Sequence, residues 1–181
     1  ANIKTIKMDP DTGLMDTSDL KSKISSETAS VYFENPTYLG AIETGAHEIV
    51  EIAKAKGALA TVGVDPITLG VISPPSEYGA DIVVGDIQPL GIHMYGGGGL
   101  GGFIASNDNP ELIAEYNALL VSIAPGLRPG EFGFDYSTFD RTSYEKRGIS
   151  PDYIGTTQWL WAIIAGVYLS LMGPVGMKEV G

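Results

Sequence analysis

Two apolar runs, each closed by an aspartate, constrain the fold more than any other feature. Residues 58–66 (ALATVGVDP) and 80–86 (ADIVVGD) are rich in alanine and β-branched residues. Runs of this kind predict strands that are covered on both faces, as in a parallel sheet. Parallel neighbours need long crossover connections, which are usually helical. The two runs therefore predict an α/β fold.

The neighbouring segments predict strands and helices in alternation. Residues 45–57 (GAHEIVEIAKAKG) place Ile49, Ile52 and Ala53 on one helical face and end at a glycine. The other expected elements are strands at residues 2–8, 29–36 and 101–108, helices at 18–24, 109–123 and 159–172, and a long loop or interface arm at 124–155. In such a fold, ligands bind beyond the carboxyl ends of the strands.

Charge and composition exclude several classes of function. The 181 residues carry a net charge of -11 and no basic run, which disfavours nucleic acid and anionic membrane surfaces. There is no cysteine, and the isolated His47 and His93 do not make a metal cluster. The apolar residues 159–172 are too few to cross a bilayer, so a buried core helix is predicted there. A cytoplasmic protein without a metal is expected.

Several residues are candidates for binding, each with a structural alternative. Asp65 at a strand end could hold a cofactor cation or simply start a turn with Pro66. The loop at residues 96–102 (GGGGLGG) lacks the lysine of a P-loop, so its glycines either let a ligand approach the backbone or form a plain hairpin. Thr156 and Thr157 could cap the last helix or hold a phosphate at its N-terminus.

Five segments together resemble one family. They are DPDTGLMD, VYFENPTYLGAIE, IAKAKGALATVGVDPITLGVISPPSEYGADIVVGD, GGGGLGGFIA and YLSLMGPVGMKEV. They are similar to glycine dehydrogenase (decarboxylating), the P-protein of the glycine cleavage system, and most of all to subunit 1, the α chain of its split form. The resemblance implies part of the mainly parallel large domain of a fold-type-I pyridoxal-phosphate (PLP) enzyme. Residues 1–155 would belong to that domain, and residues 156–181 would form a helix leading towards the small domain.

The resemblance also assigns roles to individual residues. It places Asp65 where the family's aspartate pairs with the pyridine nitrogen of PLP. When the glycine runs are aligned, Gln88 and Pro89 stand at the histidine and the Schiff-base lysine of the catalytic subunit, and proline has no amine. The cofactor-binding residues expected on this basis are Asp65, Gln88, Gly97, Gly98, Thr156 and Thr157.

The implied function is that of a subunit or fragment that does not catalyse alone. A catalytic β-type subunit 2 would carry PLP, glycine would lose CO2 there, and the aminomethyl group would pass to the lipoyl carrier H-protein. A hetero- or homo-oligomer is expected. Two alternatives remain: a pseudoenzyme with a scaffold or regulatory role, and another fold-type-I enzyme, which would also need a lysine. The family's cysteine before the final helix is Gly155 here, which leaves substrate and partner open.

Overall fold

The structure is a computed structural model that describes residues 2–94, 99–107, 109–114, 121–136 and 159–181. It contains the helices α1 (Thr17–Lys23), α2 (Ala46–Lys54), α3 (Pro110–Ala114) and α4 (Trp159–Val180), and the strands β1 (Ser30–Glu34), β2 (Leu59–Val64), β3 (Ile82–Asp86), β4 (Gly102–Ser106), β5 (Val121–Pro125) and β6 (Phe132–Tyr136). They fall into two units, Ala1–Asn107 with Gln158–Gly181, and Asp108–Thr157.

The first unit is built on a four-stranded sheet in the order β1-β2-β3-β4. The first three strands are parallel, and β4 runs antiparallel to β3, with Gly85 opposite Phe103. The predicted α/β class with a mainly parallel sheet is therefore confirmed. Because β1, β2 and β3 point the same way, their carboxyl ends meet at one edge of the sheet.

The core lies between this sheet and α2. One face of α2 buries Ala46, Ile49, Val50 and Ala53, the residues that its helical periodicity places together. They pack on the buried residues of β1 and β2, among which Val62 has no exposed surface. The near-continuous burial of β2 agrees with a central parallel strand that is covered on both faces.

Asp81, just before β3, ties several elements of this unit together. Its Oδ2 accepts a hydrogen bond from the Ala60 amide at 2.9 Å, and its Oδ1 lies 3.4 Å from Lys54 Nζ. Asn107, which follows β4, donates to the same Oδ1 at 3.5 Å. The carboxylate is buried but fully engaged, so it holds the start of β3 against α2 and β2.

Two predicted elements are wrong. Residues 2–8 form no strand beyond one antiparallel bridge between Met8 and Met15. The backbone of Lys7 bonds instead to the Asp19 carboxylate and the Asp16 amide, at the start of α1. The helix predicted over residues 109–123 is described only as α3, and Val121–Pro125 is instead a strand that pairs with β6 in a hairpin. That pairing overrides the helical spacing read from the sequence.

The final apolar segment is helical but is not the buried core helix that was expected. α4 extends to Val180 across a kink at Gly173, where φ is +57°, followed by Pro174. Among its residues only Ala165 is buried. By length and composition alone α4 could cross a membrane, with a mean hydropathy of 1.7 over its most apolar window. Its inner side packs near the 3-10 turn Thr68–Gly70 that follows β2.

Candidate functional site

A cavity of about 550 Å³ lies at the carboxyl ends of β1, β2 and β3. The parallel strands create it by ending together, and the segments that leave each strand form its walls. Its lining includes Glu34 at the end of β1, Asp65 directly after β2, and Asp86 at the end of β3. The Asn35–Pro36 peptide bond is cis at the point where the chain leaves β1.

Asp65 stands in this cavity and also organises its own turn. Its Oδ1 accepts a hydrogen bond from the Ile67 amide at 3.1 Å, and its carbonyl oxygen accepts one from the Thr68 hydroxyl at 2.8 Å. Its Oδ2 forms no hydrogen bond with any residue the structure describes. The carboxylate is exposed, so one oxygen holds the turn while the other faces solvent and is open to a ligand.

Pro89 also lines the cavity, whereas Gln88 does not. The Gln88 amide donates to Asp86 Oδ1 at 2.6 Å, and its side chain donates from Nε2 to the Ile92 carbonyl at 2.9 Å. These two hydrogen bonds hold Gln88 and its side chain within the loop that follows β3. The structure thus brings Asp65 and Pro89 to one cavity and gives the Gln88 side chain a role in holding the loop.

Tyr32 and Glu34 form a feature of the cavity that sequence reasoning missed. The Tyr32 hydroxyl donates to Glu34 Oε1 at 3.1 Å, and the phenol lies across β2 at Gly63. A Cβ added at Gly63 would come within 2.5 Å of that hydroxyl. Partial burial raises the pKa of Tyr32, and the neighbouring Glu34 charge and hydrogen bond raise it further. The glycine in an otherwise apolar strand was the available signal, since such glycines mark close approaches.

The described lining of the cavity does not supply the groups that hold PLP. PLP needs an amine for its aldehyde and donors or cations for its phosphate. Among the described residues that line the cavity there is no lysine, arginine or histidine, while Glu34, Asp65 and Asp86 are all acidic. Of the groups that hold PLP, the lining offers only a carboxylate for the pyridine nitrogen, which Asp65 could provide. The three carboxylates do not form a metal cluster within the described part of the chain either.

Four of the predicted cofactor-binding residues lie outside the described residues. They are Gly97, Gly98, Thr156 and Thr157, and the same holds for Gly155. His93 is described and exposed at the start of the glycine-rich loop, but it does not line the cavity. The roles assigned to all of these residues stay predictions.

Comparisons with known proteins agree with the geometry. The sequence model of the Glycine cleavage system P-protein family matches residues 2–181. Probable glycine dehydrogenase (decarboxylating) subunit 1 from Staphylothermus marinus is 37% identical over 177 residues, which cover 98% of this chain and 38% of the relative. The subunit 1 of Saccharolobus solfataricus is 36% identical over 178 residues, covering 98% of this chain and 39% of the relative. The chain thus spans about two fifths of the length of these relatives.

Solved structures extend the likeness to three dimensions. A crystal structure of inhibitor-bound glycine decarboxylase (P-protein) of the glycine cleavage system superposes with a TM-score of 0.75 at 35% identity, covering 87% of this chain and 35% of that one. Cystathionine gamma-lyase from Lactobacillus plantarum, at 18% identity and a TM-score of 0.51, shows a shared fold only, over 86% of this chain and 33% of that one. The fold is part of a fold-type-I PLP enzyme, and the chain belongs to the P-protein family of the glycine cleavage system.

Proposed function

We propose that this chain is a subunit or fragment of a glycine-dehydrogenase-like PLP enzyme that acts with a catalytic partner subunit. The observation that carries the proposal is Pro89, a residue without an amine, in a cavity to which the described residues bring no lysine. The described lysines lie in or beside helices or near the N-terminus, away from the carboxyl ends of the strands. In this proposal the Schiff base with PLP forms on the partner subunit.

In this proposal the chain contributes structure and one wall of a site. PLP supplies an electron sink where it is bound, and we place it on the partner. The chain itself positions the Tyr32–Glu34 pair and the free oxygen of Asp65 at an open edge of its sheet. The relatives' name, glycine dehydrogenase (decarboxylating) subunit 1, makes glycine the substrate to test first.

Borohydride trapping tests the proposal. The chain would be co-expressed with a subunit 2 of the same family, supplied with PLP, reduced with borohydride, and mapped by mass spectrometry. We expect a pyridoxyl-lysine on the partner and none on this chain. A pyridoxyl group on any lysine of this chain contradicts the proposal.

A matched pair of variants tests the position itself. Pro89→Lys restores an amine at the cavity, and Pro89→Ala removes the proline ring without adding one. Trapping of PLP by the lysine variant but not by the alanine variant supports the alignment of Pro89 with the family's lysine. Equal results for the two variants contradict it.

A second candidate, a scaffold or regulatory pseudoenzyme, is favoured by one observation. The carboxylates of Glu34, Asp65 and Asp86 repel a phosphate-bearing ligand from the cavity. A stable complex with the partner that carries no reducible PLP on either chain would support this reading over the first.

A further inference from the structure

One face of α4 is apolar from Trp159 to Leu171 and has no partner among the described residues. We call this the outer face of α4; its large residues are Trp159, Leu160, Ile163, Val167 and Leu171, each between 54% and 82% exposed. No charged side chain occurs between residues 159 and 177. A contiguous exposed apolar surface of this kind marks an interaction site.

The opposite side of the helix is fixed to the sheet unit. Ala165 is buried, the Tyr168 ring lies against Gly91, and Trp161 lies close to Gly99, where a Cβ would come within 3.4 Å of its ring. Further along, Gly70 lies directly beneath the Met177 carbonyl. The helix therefore runs along the unit and presents its outer face as a fixed surface.

The outer face has the surface shape that helix packing requires. The small residues Ala162, Gly166 and Ser170, four apart, fall on one stripe of the helix beside the larger side chains, and such a stripe gives a shallow groove. A Cβ added at Gly166 would meet no atom within 4 Å. The Ser170 hydroxyl donates to the Gly166 carbonyl at 2.8 Å, so it needs no outside partner. Such grooves receive the side-chain ridges of a second helix.

The other occupants fit less well. A bilayer core needs a span of about 20 residues, and the kink at Gly173 interrupts α4 after fourteen while its inner side is attached to a polar unit. A second copy would bring together two chains of net charge -11. By contrast, the matched stretch makes up only 35% of the solved P-protein chain, so most of that fold lies beyond these 181 residues and has to pack around them.

We infer that the outer face of α4 is the docking surface for an apolar helix from the part of the P-protein fold that lies outside these 181 residues. This inference depends on membership of the family and not on the absence of a Schiff-base lysine. Loss of PLP chemistry in this chain would leave it unchanged.

Thiol labelling provides the test, because the sequence contains no cysteine. Ile163→Cys and Val167→Cys report on the outer face, and Lys56→Cys reports on an exposed polar position after α2. Each is placed in this chain alone and in a chimera, in which this chain replaces the matched 177 residues of the Staphylothermus marinus relative and the relative's own cysteines are changed to serine.

In the isolated chain we expect all three thiols to react with a water-soluble maleimide at similar rates. In the chimera the two thiols of the outer face should react slower by on the order of 100-fold, because a buried thiol reacts only through local opening. Lys56→Cys should keep its rate. If the chimera does not fold, the same thiols are read in this chain co-expressed with the rest of the relative as a separate polypeptide.

Three outcomes would overturn the inference. One is full reactivity of Cys at both outer positions in the chimera or, where that is used, the co-expressed pair. The second is protection in the isolated chain that grows with its concentration, which points to a second copy. The third is protection that arises only when phosphatidylcholine vesicles are added, which points to a bilayer.

Discussion

At the scale of single residues, Gly63 decides where the Tyr32 phenol can lie. The ring occupies the space that any Cβ at position 63 would fill, and its hydroxyl then reaches Glu34. The parallel register sets this up, because Gly63 is the partner of Glu34 across the β1–β2 pair. A residue without a side chain thus shapes the wall of the cavity.

We expect Gly63→Ala to displace Tyr32, because the new methyl group would lie within 2.5 Å of its hydroxyl. Tyr32 would lose the hydrogen bond to Glu34, at a cost of about 1 kcal/mol, and its pKa would fall back towards 10. Ultraviolet titration against Tyr32→Phe measures the pKa, and urea unfolding measures the stability. Gly133→Ala is the control, since a Cβ there meets nothing within 4 Å. An unchanged tyrosine titration would contradict the packing described.

Asp19 makes stability depend on pH. The Lys23 side chain, through its hydrogen bond, and the Lys7 amide hold the pKa of Asp19 below its ordinary 3.8. Because the pKa is lower in the folded state, the stabilisation is present above the ordinary value and is lost as pH falls through the folded pKa.

We therefore expect Asp19→Asn to lower the urea midpoint at pH 7, with the difference from the original protein shrinking as pH falls below about 4. Asp11→Asn changes an exposed aspartate whose side chain makes no hydrogen bond with the described residues, and it serves as the control. An equal loss at pH 7 and pH 3 would show that the Asp19 contacts do not act through charge.

At the scale of elements, the buried Asp81 joins three of them, and its replacement should be costly. Asp81→Ala leaves the Ala60 amide without its acceptor and Lys54 without its partner. We expect a loss of about 2–3 kcal/mol from the free energy of unfolding in urea. Lys54→Met should cost less than about 1 kcal/mol, because the lysine is half exposed. Similar losses for the two variants would rule out the amide contact as the main contribution.

The strands of the parallel sheet could be predicted because their apolar, β-branched residues indicate burial on both faces of the sheet. The runs around Val62 and Val84 became β2 and β3, and Asp65 lies at the strand end where it was expected. The direction of β4 could not be predicted, because the sequence pattern of a strand is the same in parallel and antiparallel pairing. The hairpin formed by β5 and β6 was missed because the helical spacing of residues 109–123 continues into β5, where the pairing with β6 overrides it.

The site was predictable only where the signal lay at a strand end. Asp65 and Pro89 could be placed by resemblance, and both line the cavity. The packing of Tyr32 over Gly63 depends on the lateral register of β1 and β2, which the sequence does not specify. The exposure of α4 was mispredicted because an apolar helix has the same sequence pattern whether the residues that bury it belong to its own unit or to another part of the protein.

At the scale of the whole molecule, negative charge and the outer face of α4 act against each other. The net charge of -11 opposes contact between copies at neutral pH, while the apolar face favours association. We expect light scattering to rise steeply as pH is lowered towards the isoelectric point near 4.4. The double variant Ile163→Lys with Val167→Lys should scatter less at its own isoelectric point. Scattering that is equal for both proteins would mean that another surface drives association.

Strand β1 is an edge strand of the sheet. β1 pairs only with β2 in the described part of the chain, so its other edge offers backbone groups to water. The Asn35 amide points towards β2, where it donates to the Gly63 carbonyl at 2.9 Å, and alternation then turns the amides of Tyr32 and Glu34 outward. The same Tyr32 and Glu34 that shape the cavity thus stand on the open border of the sheet. A strand added there by a neighbouring polypeptide would extend the sheet and alter the cavity wall in a single step.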